Sequence, residues 1–531
     1  MSINKSTSGG CNRAIAKSAG LIAAVTFCSR LLGFARDAVI ARLFGVYIYA
    51  QAFVVAFRIP NLLRDLLAEG AANAAIVPVF SEYQATRSKE EFWQLCNVVL
   101  NLLLTALCAA TMLGILGAPL IVRLIAPGFA ADPQKLAATI TLTRIIFPYI
   151  LLIGLAAYAT AILNSLRHFA VPALAPCLLN ISIIACAVIF GEGISGLASG
   201  VLIGGVLQLL VQLPVLWRKG LRLKLFRRFR HPAAKGIIRL MVPRFFSSGI
   251  YQLNNFVDSI FGSLVGLVGE GGVAVLYFAY RLIQFPLGIF STALAQAALP
   301  SLAVQALEPG RAELKHTLQW SLRATFFLML PVSAGLIVLS RPLVALLFGG
   351  GRFDGYAQQA TAATLCFYAL GLFAYAAVKI LQSGFFALKD TLTPAKISAL
   401  ALGLNILFNL LFALPLKICG VALATSLSGI ISFLVLFSLL RVKLKPLGMR
   451  PLAISFLKIL AASLGMGLVC FLVYRQIGSG VSLSGRLMCL AFIAAAAGFS
   501  YVAFAFIFRV AEMQQLWKWL VKKKIRCASA A

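Results

Sequence analysis

Four arginines stand where an arginine is costly. Arg30 and Arg36 fall inside the apolar stretch 26–45, Arg64 lies inside a second apolar run, and Arg281 sits within another in the second half of the chain. A charge at the centre of a membrane helix costs roughly 2.5–3.5 kcal/mol on the insertion scale, so such residues face a cavity, a partner or an interface. At about 1.5 Å per helical residue, Arg30 lies about 18 Å from the inner end of its run, Arg64 about 22 Å and Arg281 about 12 Å from the outer ends of theirs. The guanidinium fork matches phosphate and carboxylate oxygens in a bidentate way, which makes a phosphorylated anion the ligand these residues suit best. Asp37, Glu69 and Asp258 are the obvious carboxylates in or beside the same spans, so positive charge is left over. Taken singly, Arg58, Arg123, Arg144 and Arg341 read equally well as interfacial or structurally neutralised residues.

The same inventory offers little to an enzyme. His168, His231 and His316 fall between the apolar runs, and Asp37, Asp258 and Asp390 lie in different spans or loops with no motif around them. The 11 cysteines show no paired spacing, so neither a disulfide framework nor a zinc site is expected. The chain is expected to work without catalysis and without a cofactor.

The elements that must position these residues are membrane helices. Of 531 residues 61% are hydrophobic and only 12% charged, against about 25% charged in soluble chains. Fourteen spans are expected between residues 18 and 508, several of them (among them 49–83, 92–125 and 136–166) needing tilts or breaks at Pro or Gly. The net charge of +32 is not attached to a soluble basic face, so nucleic acid is not an expected partner. Basic residues instead crowd the loops after even-numbered spans, including Arg218, Arg222 and Lys224, and the tail after residue 516. By the positive-inside rule both termini are then cytoplasmic and the loops meet anionic lipid. No removable signal peptide is expected at the N-terminus.

The chain also repeats itself. Arg58 recurs as Arg281, Pro78 as Pro300, Pro119 as Pro342, Pro172 as Pro394 and Asn180 as Asn405, at an offset of about 223 residues. Six spans per copy is an even number, so the two copies share one orientation, a build common in transporters that place the substrate site between their halves. The expected organisation is an all-α membrane protein: a six-helix lobe over residues 1–217, a basic cytoplasmic linker at 218–236, a second six-helix lobe at 237–443, two further helices at 444–515 and a basic tail at 516–531.

Several segments carry a resemblance. Ser29-Arg30-Leu-Leu-Gly-Phe-Ala-Arg36-Asp37, Phe57-Arg58-Ile-Pro60-Asn61-Leu-Leu-Arg64 and Ala68-Glu69-Gly70-Ala71, with Arg281 before Pro286-Leu-Gly and Lys389-Asp390-Thr391, resemble the MurJ (MviN) lipid II flippase family. That family belongs to the multidrug/oligosaccharidyl-lipid/polysaccharide exporter superfamily. The resemblance implies a multi-pass inner-membrane carrier that moves an undecaprenyl-diphosphate-linked peptidoglycan precursor outward by alternating access, beside cell-wall synthesis proteins. It implies substrate contacts from Arg30, Arg36, Arg64 and Arg281, with Arg58, Asp37, Asn61, Ser29 and Glu69 close by, and a groove for the lipid tail along the last two spans. A flippase for another polyprenyl-linked oligosaccharide and a cation-coupled drug exporter are the alternatives, and the sparse carboxylates weigh against the exporter. Two departures stand out: Gln51 and Tyr280 replace aspartates usual in the family. Asp258 and Asp390 are sodium candidates only by loose analogy with some relatives.

Overall fold

A computed structural model describes residues 6–64, 76–191, 193–222, 224, 231–444, 449–477, 483–515 and 517. The chain forms two compact units, Met1–Val265 with Gly351–Phe353, and Gly266–Gly350 with Asp354–Ala531. In the first unit the helices are α1 (Ser6–Phe44), α2 (Ile48–Arg64), α3 (Val77–Thr86), α4 (Lys89–Leu116), α5 (Ala118–Ile125) and α6 (Pro133–Ile146). They continue with α7 (Tyr149–Ser165), α8 (Ala170–Phe190), α9 (Ile194–Leu210), α10 (Leu213–Lys219) and α11 (Pro232–Ser263). After the single turn α12 (Val265–Val268), the second unit holds α13 (Gly272–Pro286), α14 (Thr292–Gln305), α15 (Ala312–Val338), α16 (Ser340–Leu347) and α17 (Gly355–Leu370). It ends with α18 (Leu372–Ala387), α19 (Leu392–Leu416), α20 (Ile418–Leu444), α21 (Met449–Ile477) and α22 (Leu483–Ile507).

Local chemistry sets many of these boundaries. Ser88 caps α4 by accepting from the Glu91 amide at 3.2 Å, and Glu90 and Glu91 in the first turn complement the positive end of the helix. Asp132 caps α6 with Pro133 behind it, and Asp354 caps α17 by accepting from the Ala357 amide at 2.8 Å. The long expected runs break as their composition demands. The run 92–125 divides at Gly117, and 136–166 divides at Phe147-Pro148. At that second break Gly114 of α4 meets Phe147 so closely that a Cβ would lie 1.6 Å from its ring.

Among the described residues, ten helices are long and apolar enough to cross a membrane, or up to eleven if α17 and α18, bent by 42°, form one span. Within the expected second span, α2 holds 17 residues and α3 begins at Val77.

The internal repeat is visible as packing. α2 lies on α6 as α13 lies on α17, α4 on α7 as α15 on α18, α7 on α9 as α18 on α20, and α5 on α6 as α16 on α17. Each unit has its own apolar core, with Leu95, Tyr158 and Ile162 in the first and Leu322, Phe326, Ile380 and Phe385 in the second. Large apolar residues such as Leu113, Ile189 and Leu414 are exposed, as lipid-facing residues are. The division between units falls near residue 265 and not at the basic linker 218–236. α11, expected to open the second lobe, packs in the first unit on α5 and on the tight turn Pro127–Ala131, where the Gly128 amide donates to Ser263 Oγ at 3.0 Å. Of the linker and the tail, residues 223, 225–230, 516 and 518–531 lie outside the described residues.

Candidate functional site

The arginines of α1 lead different lives. Arg30 is exposed and makes no hydrogen bond or ion pair among the described residues. Arg36 is only 3% exposed and Asp37 is fully buried beside it. Arg36 donates to Asp37 Oδ1 through Nη2 at 2.7 Å and Nε at 3.0 Å, and through Nη1 to Asn180 Oδ1 at 3.2 Å. Asn180, from α8, turns its own amide nitrogen to the Ser29 carbonyl at 3.2 Å. The result is a strap between α1 and α8 at two levels, built on a buried ion pair. A buried pair of this kind holds only while both charges and their spare hydrogen-bonding capacity are satisfied, and Asn180 supplies that satisfaction. Its guanidinium is committed inside the unit, so Arg36 reads as a residue that positions α1.

On α2, Gln51 is buried, and neither its amide nitrogen nor its carbonyl oxygen has a partner among the described residues. Further along α2, half-buried Arg58 donates to Ser259 Oγ of α11, next to buried Asp258. Asn61 and Arg64 are half-buried, and Arg64 lies in the last turn, where a cation complements the helix C-terminus. Glu69 lies outside the described residues.

In the second unit Arg281 is half-buried on α13. It donates to Gln284 Oε1 at 2.8 Å, and its guanidinium lies 5.8 Å from the Tyr277 ring centre. Tyr280 packs edge-on against Tyr368 at 5.5 Å. These partners of Arg281 are neutral, in contrast to the carboxylate that holds Arg36. Asp390 begins the turn into α19 and is committed: Lys443 pairs with it, and Thr393 donates to it from its amide at 3.0 Å and its hydroxyl at 2.7 Å. These contacts hold its carboxyl well below the usual carboxylate range, led by the Lys443 hydrogen bond. A cation bound there would have to displace the lysine. No group of three or more His, Cys, Asp or Glu residues able to hold a metal occurs among the described residues.

One interior cation is absent from the expectations above. Lys379 of α18 is half-buried, and its ammonium donates to Thr292 Oγ1 at 3.0 Å, at the end of the π-helical turn Leu287–Ser291 that follows Pro286. The signal was present, since Lys379 is the one charged residue between Arg352 and Lys389 apart from Asp354. Together these features place exposed or half-buried cations within each unit, suited to holding an anion.

The lipid II flippase MurJ family model matches residues 40–506. A lipid II flippase MurJ of Burkholderia cenocepacia is 36% identical over 428 residues, 79% of this chain and 82% of that protein. A probable lipid II flippase MurJ of Vibrio cholerae is 33% identical, over 80% of this chain and 83% of its own length. Among solved structures, a lipid II flippase MurJ in an inward closed conformation aligns with a TM-score of 0.77 and 28% identity, covering 92% of this chain and 98% of that one. An inward-facing multidrug resistance MATE transporter shares the fold at a TM-score of 0.63 and 16% identity, over 80% of this chain and 97% of its own. This chain belongs to the lipid II flippase MurJ family.

Proposed function

We propose that this protein carries lipid II, a polyprenyl-diphosphate-linked peptidoglycan precursor, across the bacterial inner membrane from the cytoplasmic to the outer leaflet. The match of residues 40–506 to the family carries this reading. The geometry supports a division of labour within it. Exposed Arg30 and half-buried Arg64 in the first unit, and half-buried Arg281 in the second, supply cationic contacts for the diphosphate, with Arg58, Asn61 and Ser29 as further polar groups of the first unit and Lys379 of the second. Arg36 and Asp37 act through the α1–α8 strap. A guanidinium needs no proton transfer to grip a diphosphate, so the protein binds and releases its cargo without making or breaking a bond in it.

The last two helices suit the cargo's apolar tail. α21 presents Leu457, Leu464, Leu468 and Phe471 outward at helical spacing, while Tyr501 of α22 donates to the Phe327 carbonyl of α15 at 2.7 Å and fixes the pair to the bundle. Both termini lie in the cytosol by the distribution of basic loops.

The test is complementation. A bacterium depleted of its own lipid II flippase should resume growth when this chain is expressed, and should stop accumulating the precursor in the inner leaflet. Lysis despite confirmed membrane expression would contradict the assignment.

A further inference from the structure

A second basic site lies away from the arginines of the bundle interior. Lys89, Glu90, Trp93, Gln94, Asn97 and Asn101 of α4 face Gly220, Arg222 and Lys224 of the following linker across a cleft of about 650 Å³. The linker is held there by its backbone. Asn97 donates to the Arg222 carbonyl at 3.0 Å and accepts from the Lys224 amide at 2.7 Å, and Asn101 donates to the Lys224 carbonyl at 3.3 Å. Both asparagines are buried. Arg222 and Lys224 both line the cleft. Gly220 has φ +104°, and a Cβ there would stand 3.3 Å from Trp93 Nε1 and 3.6 Å from Lys89 Nζ. Glycine thus keeps open the space in front of both donors. The Trp93 indole N–H is buried and has no partner among the described residues.

We propose that this cleft binds the phosphodiester of an anionic lipid headgroup in the cytoplasmic leaflet. Lys89, Arg222 and Lys224 supply the charge, the Trp93 indole N–H supplies an oriented donor, and with the single acid, Glu90, the lining keeps a net positive charge that attracts the diester. The cleft exceeds a free phosphate and fits a headgroup with its glycerol. Its level fits as well. α4 begins after an even-numbered span and the linker follows another, so the positive-inside rule puts the cleft at the cytoplasmic surface, and Trp217 of α10 is exposed one turn before Gly220, as interfacial tryptophans are. A bound lipid would fasten the linker to α4. This binding is independent of the cargo, so its failure would leave the flippase assignment intact.

The full-length protein in detergent, titrated with phosphatidylglycerol and read by native mass spectrometry, tests the site. The variant carrying Lys89→Gln, Arg222→Gln and Lys224→Gln should bind the first phosphatidylglycerol about tenfold more weakly, and Trp93→Phe about threefold more weakly, while phosphatidylcholine binding stays unchanged in both. The linker contacts of Asn97 and Asn101 use backbone atoms, so the triple variant keeps them. Undiminished phosphatidylglycerol affinity in both variants would overturn the proposal. So would displacement of the lipid by millimolar inorganic phosphate, which would make the ligand a free anion.

Discussion

Asn180 in the first unit and Asn405 in the second hold matching places in the repeat, one in α8 and the other in α19, each packed on the helix that follows it. Asn180 turns away from that following helix and ties α8 to α1, accepting from Arg36 and donating to the Ser29 carbonyl. Asn405 donates to Thr425 of α20 at 3.0 Å and accepts from Asn409 at 3.1 Å, a wholly neutral cluster. Arg58 and Arg281 diverge in the same way: the first donates to a serine of α11, the second to Gln284 on its own helix beside a tyrosine face. The prolines behave differently. Pro119 and Pro342 still sit in the first turns of the short helices α5 and α16. Duplication thus preserved the backbone breaks while the polar side chains were reassigned. At these matched positions the first unit uses a buried ion pair, and the second uses neutral hydrogen bonds.

That contrast can be broken by substitution, with unfolding followed by SDS titration in mixed micelles. Asp37→Asn should cost most, about 3–5 kcal/mol, because it leaves the Arg36 charge buried without its carboxylate. Asn180→Ala should follow at about 1.5–3 kcal/mol, the range for a hydrogen bond to a charged group. Asn405→Ala should cost about 1 kcal/mol, since it removes neutral contacts only. A larger loss from Asn405→Ala than from Asp37→Asn would reverse the comparison.

The smallest effect belongs to Asp390 and Lys443, a partly exposed pair at the edge of the second unit. The folded pKa of Asp390 is depressed, so its contribution is present at every pH above the carboxyl's unfolded value of about 3.9, and is lost as pH falls from there through the folded value. Lys443→Gln should therefore lower the melting temperature equally at pH 8 and pH 5, with the deficit shrinking only in stronger acid. A deficit that grew on acidification would contradict the pairing.

Much of the frame was legible in the residues because it rests on local chemistry. Asp132 before Pro133 and Gly117 before Ala118-Pro119 act on their own turns, and a constant offset between prolines exposes a repeat without any knowledge of contacts. The lack of a partner for Arg30 among the described residues and the commitment of Arg36 were not legible. Asp37 stands next to Arg36 in the chain, but the contact that completes the pair comes from Asn180, 144 positions away. The grouping of α11 with the first unit hangs on Ser263 and Ser259, small residues whose partners in the turn Pro127–Ala131 and on α2 are set by tertiary packing alone. Lys379 is legible as an isolated charge in an apolar run, but no repeat marker accompanies it. The linker cleft depends on Asn97 and Asn101, which along the chain are only polar interruptions of an apolar run.

The central claim is that Arg30 and Arg281 hold the cargo's diphosphate whereas Arg36 holds α1 in place. It is tested most directly by transport of a fluorescent polyprenyl-diphosphate lipid in proteoliposomes. Arg30→Ala and Arg281→Ala should each slow transport about ten- to a hundredfold through loss of a charge-assisted contact. The paired replacement Arg36→Met with Asp37→Leu, which removes both buried charges together, should transport within about threefold of the parent. The account is contradicted if the folded double variant is inactive while either single arginine variant transports at the parent rate.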